Sequence, residues 1–224
     1  SVSPLNTFAT DDYFGYLDEN EGLLQGDLID IGIGRLPAKT SSEANNMVDK
    51  IINYSSRESM GEWRNISSFI ADDGDDSDGN IHMIQAESLA NIVDDNYNNF
   101  NFDKFYVDAY NQESTPIGQR SPDCRNAITR RVEKGSLLVN YTGHGGEKGL
   151  TSERIIEVDQ ILDWKNYNQL ALFVTATCEF GRFDNPELTS GGEYIILNPE
   201  GGGVALLTTT RYVYSHLNFS LNTH

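Results

Sequence analysis

The chain has 224 residues, 34 of them acidic and 16 basic, for a formal net charge of −18. That balance repels phosphate backbones and argues against nucleic acid as a partner. The longest apolar runs, LALFV and VALL, fall far short of the ~20 residues that a membrane-spanning helix needs.

The cysteine and histidine counts narrow the chemistry further. Cys124 and Cys178 are too few for a disulfide scaffold and too far from Cys or His partners for a four-ligand zinc site. His82, His144, His216 and His224 show no HExxH spacing, so no dedicated transition-metal site is expected. The length suits one large domain, or a catalytic domain with part of a neighbour. The absence of an initiator Met and of a signal-like start suits a mature fragment.

In chain order, DLIDIGIGRLPAKT reads as a strand running into a loop closed by Pro37. Gly32 and Gly34 lack the third glycine and the immediate helix of a dinucleotide fingerprint. A helix over 40–54 follows, with Thr40 and Glu43 as a capping box and Ala44, Met47, Val48, Ile51 and Ile52 at helical spacing. ISSFIA at 66–71 predicts a strand, 81–95 a helix with Ile81, Ile84, Ile92 and Val93 inward, and KFYVDA at 104–109 a second strand. The next helix has Ser121 as N-cap, Pro122 in its first turn and Gly135 just past its end, with Cys124, Ala127 and Ile128 on its buried face. Strands at 136–141, 170–177 and 203–210 alternate with helical segments near 155–164 and 188–197. Near-continuous apolar strands alternating with helices predict a doubly wound α/β fold, its sheet mainly parallel and covered on both faces.

In such a sheet, ligands bind beyond the carboxyl ends of the strands. The strand at 136–141 runs into Gly143-His144-Gly145, the strand at 170–177 into Cys178, and the strand at 66–71 into the aspartate-rich DDGDDSDGN. If these strands are neighbours, a thiol and an imidazole share one edge. An imidazole can take the thiol proton and return it to a leaving amine. The glycines give a substrate carbonyl access to the backbone, where the amides of Gly145 and Cys178 are candidate oxyanion donors. For the aspartates three readings stand: a solvated helix cap, an irregular calcium site, or a carboxylate from Asp78 or Asp76 that orients His144. An EF-hand is excluded because its sixth position is Ile81, where glycine is required.

LLVNYTGHGGEKGL, LFVTATCEFGRFDNPE and GGGVALLTTTRYVYS resemble the gingipain-type cysteine peptidases, and among them the sortase branch of the type IX secretion system. The earlier blocks IGRLPAKTSSEANNMVDKIINY, FIADDGDDSDGNIHM and DAYNQESTPIGQR agree in order and approximate spacing. The resemblance implies a caspase-like fold, with residues 1–62 ending a smaller N-terminal α/β subdomain and residues 63–224 forming a catalytic subdomain that continues past this chain. It implies Cys178 as nucleophile, His144 as general base and acid, Gly145 as oxyanion donor, and Thr209, Thr210, Arg211 and Tyr212 in the specificity pocket. Gingipains use a glutamate upstream of the histidine, whereas the matching region here holds Asp75, Asp76 and Asp78. No cofactor is required by the resemblance, although structural calcium is compatible with it. The implied partners are C-terminal sorting domains of secreted cargo, other type IX outer-membrane components, and anionic lipopolysaccharide as acyl acceptor, at the outer side of the cell surface. Two other classes compete: a non-catalytic caspase-like scaffold, and a flavodoxin-like domain binding a small ligand.

Overall fold

The computed structural model describes residues 9–22, 27–75 and 78–224. Their elements in chain order are α1 (Ser41–Tyr54), β1 (Ile66–Ala71), α2 (Ile81–Asn96), β2 (Asn101–Tyr106), β3 (Glu113–Thr115), β4 (Gly118–Arg120), α3 (Pro122–Lys134), β5 (Leu138–Thr142), β6 (Gly145–Gly146), β7 (Gly149–Leu150), β8 (Ile156–Glu157), α4 (Val158–Asp163), β9 (Ala171–Ala176), α5 (Gly191–Leu197), β10 (Gly203–Thr208) and α6 (Ser215–Asn222). Five of the strands form one parallel sheet in the order β10-β9-β5-β1-β2. The predicted doubly wound parallel sheet is therefore observed.

Alternation along the strands divides the core. On one face Ile70, Val139, Tyr141, Ala171 and Phe173 pack with Cys124, Ile128 and Val132 of α3, Ile161 of α4 and Ile195 of α5. On the other, Phe69 meets Leu89 and Ala90 of α2, with Phe102, Tyr106 and Phe219 of α6 against them. Each fully buried Ile, Val or Phe contributes about 1.5–3 kcal/mol relative to exposure. Among the described residues, no helix is long and apolar enough to cross a membrane.

The helix termini follow the sequence signals except at Ser121 and at α2, whose N-cap is Asn80 with no side-chain capping bond and whose first turn holds no acidic residue. The Thr40–Glu43 capping box forms in both directions. Gly135 ends α3 at φ 85, in the region that favours glycine. Ser121 precedes α3 but its side chain makes no capping bond; its hydroxyl donates instead to the carbonyl of Asn111 at 3.1 Å.

Several boundaries and faces differ from expectation. No strand forms over 27–36: Asp30 N–H bonds to Gly15 O at 2.9 Å, but no described neighbour supplies a ladder, and Leu28, Ile29, Ile31 and Leu36 stay exposed. On α1 the buried positions are Met47 and Lys50, while Val48, Ile51 and Ile52 are exposed. Lys50 displaces the apolar stripe because its Nζ donates to the carbonyls of Ile196 (2.9 Å), Asn198 (3.0 Å) and Gly201 (2.7 Å), where α5 ends. A cation at a helix C-terminus satisfies carbonyls that the helix itself leaves open. On α2 the inward residues are His82, Gln85, Ala86, Leu89 and Ala90, with Ile84 and Ile92 exposed. The second strand starts three residues earlier than KFYVDA, and its predicted end, Val107–Ala109, is a 3-10 turn.

Candidate active site

The placement of the site begins with strand register. β5 and β9 are adjacent and parallel, with Tyr141 opposite Thr175 and Thr142 opposite Ala176. His144 and Cys178 each lie two residues beyond that last rung, so the two loops leave the sheet side by side at its carboxyl edge. Gly143 N–H continues the ladder to Ala176 O at 3.3 Å. β1 pairs with the opposite side of β5, with Ala71 opposite Thr142, and brings the aspartate segment to the same edge.

The His144 backbone is held from three sides. Its N–H donates to Asp72 Oδ2 at 2.8 Å, its carbonyl accepts from the buried Tyr141 hydroxyl, and the same carbonyl accepts from Thr151 N–H at 3.0 Å. Burial pushes the Asp72 carboxyl up to about 7, opposed by that His144 amide. The ring itself is exposed. Its Nε2 lies 3.0 Å from Asp78 Oδ2 and 3.6 Å from Asp75 Oδ2. With Nε2 given to Asp78, Nδ1 is the nitrogen left for a thiol.

Cys178 is half-buried and unpaired, and its thiol donates to Val213 O at 3.6 Å. The next residue, Glu179, is held at φ 53, a left-handed conformation that costs a non-glycine residue roughly 1 kcal/mol. Its N–H bonds to Arg211 O at 3.2 Å and its carboxylate pairs with Arg182 at 3.0 Å. Cys124, by contrast, is fully buried on α3, and burial pushes its thiol up to about 12.

Gly145 opens β6, which pairs with β7 opposite Leu150. A Cβ there would come within 2.5 Å of Thr177 Oγ1, so the absence of a side chain lets this loop lie against the Cys178 loop. The segment after β10 lines the other side of that loop. The Thr209 hydroxyl donates to Thr177 O, and Gly181 N–H donates to Thr209 O at 3.0 Å. Arg211 forks onto Asp184 at 2.9 and 2.6 Å. Tyr212 is exposed, and the charge of Glu179 raises its phenol. Thr210 lines a small cavity with Gly181, Phe183 and Arg35. Asp76 lies outside the described residues.

Two neighbours of His144 escaped the sequence reading. Asp72 looked like one more member of a solvated cluster, and only its burial reveals that it grips the His144 amide. His82 packs edge-on to His144 with ring centroids 4.9 Å apart, and its Nε2 lies 3.0 Å from Asp78 Oδ2. The available signal was the four-residue spacing of Asp78 and His82 across the start of α2.

A comparison with curated protein sequences returns no match. The chain is similar to the crystal structure of the Arg-specific cysteine proteinase gingipain R (RgpB), at 20% identity and a TM-score of 0.75 over 99% of this chain and 48% of that one. It is similar to the complex of Porphyromonas gingivalis RgpB pro- and mature domains, at 18% identity and TM-score 0.75 over 99% of this chain and 49% of that one. A third structure, described as a protease, aligns at 18% identity and TM-score 0.71 over 96% of this chain and 43% of that one. The chain thus spans about half the length of these proteins, and at such identities the likeness carries the fold, the caspase-like sheet of the gingipain catalytic domain. The family model of peptidase family C25 matches residues 1–224. With that match over its whole length and the corresponding fold in place, the chain belongs to peptidase family C25, the gingipain family.

Proposed function

We propose that this chain carries the catalytic site of a cysteine peptidase, with Cys178 as nucleophile and His144 as general base and acid. The supporting observation is the rung Thr142–Ala176, beyond which both residues emerge at equal distance along adjacent parallel strands. In this reading Nδ1 of His144 takes the thiol proton, and Asp78 at Nε2 fixes the tautomer and stabilises the imidazolium. The thiolate attacks the scissile carbonyl carbon, and the amides of Gly145 and Cys178 hold the developing oxyanion. Collapse of the tetrahedral adduct breaks the C–N bond, the imidazolium gives its proton to the leaving amine, and a thioester remains on Cys178.

The finer reading is a PorU-type sortase. Its substrates are the C-terminal sorting domains of type IX secretion cargo, and its acyl acceptor is an amine of anionic lipopolysaccharide, or water. It works on the outer side of the cell surface beside other outer-membrane components of that system. Residues 1–62 belong in this reading to a smaller N-terminal subdomain, and Thr209, Thr210, Arg211 and Tyr212 border the specificity pocket. No cofactor enters the reaction; the trio Asp72, Asp73 and Glu153, whose carboxylate oxygens lie within 4.8 Å of one another, is the candidate for structural calcium.

The test is cleavage of a sorting-domain peptide in the presence of a soluble amine. Formation of an amide product with the amine, lost in Cys178→Ala, supports transpeptidation; release of free acid alone makes the protein a hydrolase. Cleavage retained in Cys178→Ala overturns the reading.

A further inference from the structure

The proposed reaction uses one imidazole at this edge of the sheet, yet the structure supplies two. His82, in the first turn of α2, is 5% exposed, and among the described residues both ring nitrogens lack a hydrogen-bond partner of good geometry. Its Nε2 nevertheless stands 3.0 Å from Asp78 Oδ2, the same oxygen that lies 3.0 Å from His144 Nε2. The other Asp78 oxygen is buried and also without a hydrogen-bond partner among the described residues. Two imidazole nitrogens therefore converge on one carboxylate oxygen, and a buried side chain points at the group without satisfying its own polar atoms. Nδ1 of this buried ring has no hydrogen-bond partner among the described residues, and Nε2 shares its one carboxylate oxygen with a second imidazole.

We propose that Asp78, His82 and His144 form a binding site for a zinc-class divalent cation. Their ligand atoms all lie within 4.8 Å of one another. Two imidazoles and one carboxylate, with at least one position open to solvent on the His144 side, match the three-ligand pattern of accessible zinc sites. The nitrogen-rich set disfavours calcium and magnesium, which take oxygen ligands. Asp75, whose Oδ2 is 3.6 Å from His144 Nε2, offers a fourth oxygen. Metal–nitrogen bonds of about 2.0–2.1 Å require the donors to draw in slightly around the ion.

The consequence, which rests on the proposed role of His144, is a reversible off state. A cation on Nε2 leaves the ring proton on Nδ1, the nitrogen that must accept the thiol proton, and it also withdraws Asp78 from its orienting role. Metal loading silences the nucleophile without touching it, and chelation restores it.

The test is a titration of the protein with Co2+, whose ligand-field absorption reports coordination, followed by displacement with Zn2+. One Co2+ per chain is expected, with a tetrahedral or five-coordinate spectrum that persists in Cys178→Ala. His82→Gln and His82→Ala, checked for folding by circular dichroism, are expected to weaken binding at least about tenfold. A cobalt–thiolate charge-transfer band that vanishes in Cys178→Ala would assign the metal to the Cys–His pair and overturn the proposal. Equal affinity in folded His82 variants, or no saturable binding by the unmodified protein, overturns it too. Because the spectrum reads binding alone, failure of the peptidase reading leaves this result intact, and absence of metal binding leaves peptide cleavage untouched.

Discussion

Asp78 and His144 meet at 3.0 Å although one precedes α2 and the other follows β5. The contact exists because β1 and β5 are neighbours that end on the same rung, Ala71 opposite Thr142. In the proposed mechanism Asp78→Asn keeps a polar group at Nε2 but removes the charge that supports an imidazolium. Peptide cleavage is expected to fall about 10–1000-fold in kcat with little change in KM. Steady-state kinetics across pH check this, and an unchanged kcat would reduce the pair to an exposed contact.

The two cysteines differ enough to be told apart chemically. Cys124 is fully buried with its thiol pushed up to about 12, whereas Cys178 is half-buried at the sheet edge. A thiol-reactive peptide inhibitor is expected to label one site per chain. Cys178→Ala abolishes labelling and Cys124→Ala preserves it, as intact-mass spectrometry would record.

Gly145 tests the packing of the His144 and Cys178 loops. The methyl group of Gly145→Ala would approach Thr177 Oγ1 at 2.5 Å and Leu150 Cδ2 at 3.0 Å. Displacement of the Gly145 amide is expected to lower kcat/KM by about 10–100-fold. Thr177 Oγ1 is buried without a partner among the described residues, so Thr177→Ala removes the obstacle at little cost in stability. Partial recovery in the double variant, measured as a coupling energy, is the expected outcome.

Asp72 couples stability to pH. In calcium-free buffer, where no cation holds it ionised, burial raises its carboxyl from an ordinary 3.8 to about 7. The folded protein therefore binds this proton more tightly than the unfolded chain. The associated stabilisation is complete below about 3.8 and is lost as pH rises through about 7. Asp72→Asn keeps an oxygen for the His144 amide and is expected to flatten the decline between pH 5 and 8 by about 1–3 kcal/mol in urea unfolding. Glu153, raised in the same direction by burial, leaves part of the slope in place.

Lys50 holds the end of α5. Lys50→Met removes the donor for the carbonyls of Ile196, Asn198 and Gly201, with an expected cost of about 2–4 kcal/mol in unfolding free energy. Chemical denaturation measures it, and a cost below 1 kcal/mol would mean that water replaces the ammonium.

Much of this arrangement was legible because the central strands announce themselves. ISSFIA, SLLVNY and LALFVTAT are apolar runs too short for helices, and each is followed within three residues by a residue type with chemistry to offer, Asp72, His144 and Cys178. Their adjacency is what the parallel topology added. The helix faces were harder to read, because periodicity registers apolar side chains and not polar ones that find partners. Lys50 and His82 occupy buried positions that a hydrophobic pattern assigns to Ile51 and Ile84. The strand expected at 27–36 failed for a different reason: alternation describes a surface that fits a sheet, and no described segment offers that sheet. The short strands β6 to β8 carry almost no pattern, since each has only two residues and β6 has no side chains at all.

The order of the central strands also bears on when the site comes into being. Asp72 and Asp78 follow β1, His144 follows β5 and Cys178 follows β9, so every proposed participant waits on pairings between segments far apart in the chain. Long-range parallel pairing is slow, because loop closure must precede the contacts that reward it. A newly made chain thus holds its thiol and its imidazole apart until the whole middle of the sheet has assembled. Under the proposed mechanism, partly folded copies lack the assembled site, and the topology itself delays any cleavage of neighbouring unfolded chains during synthesis.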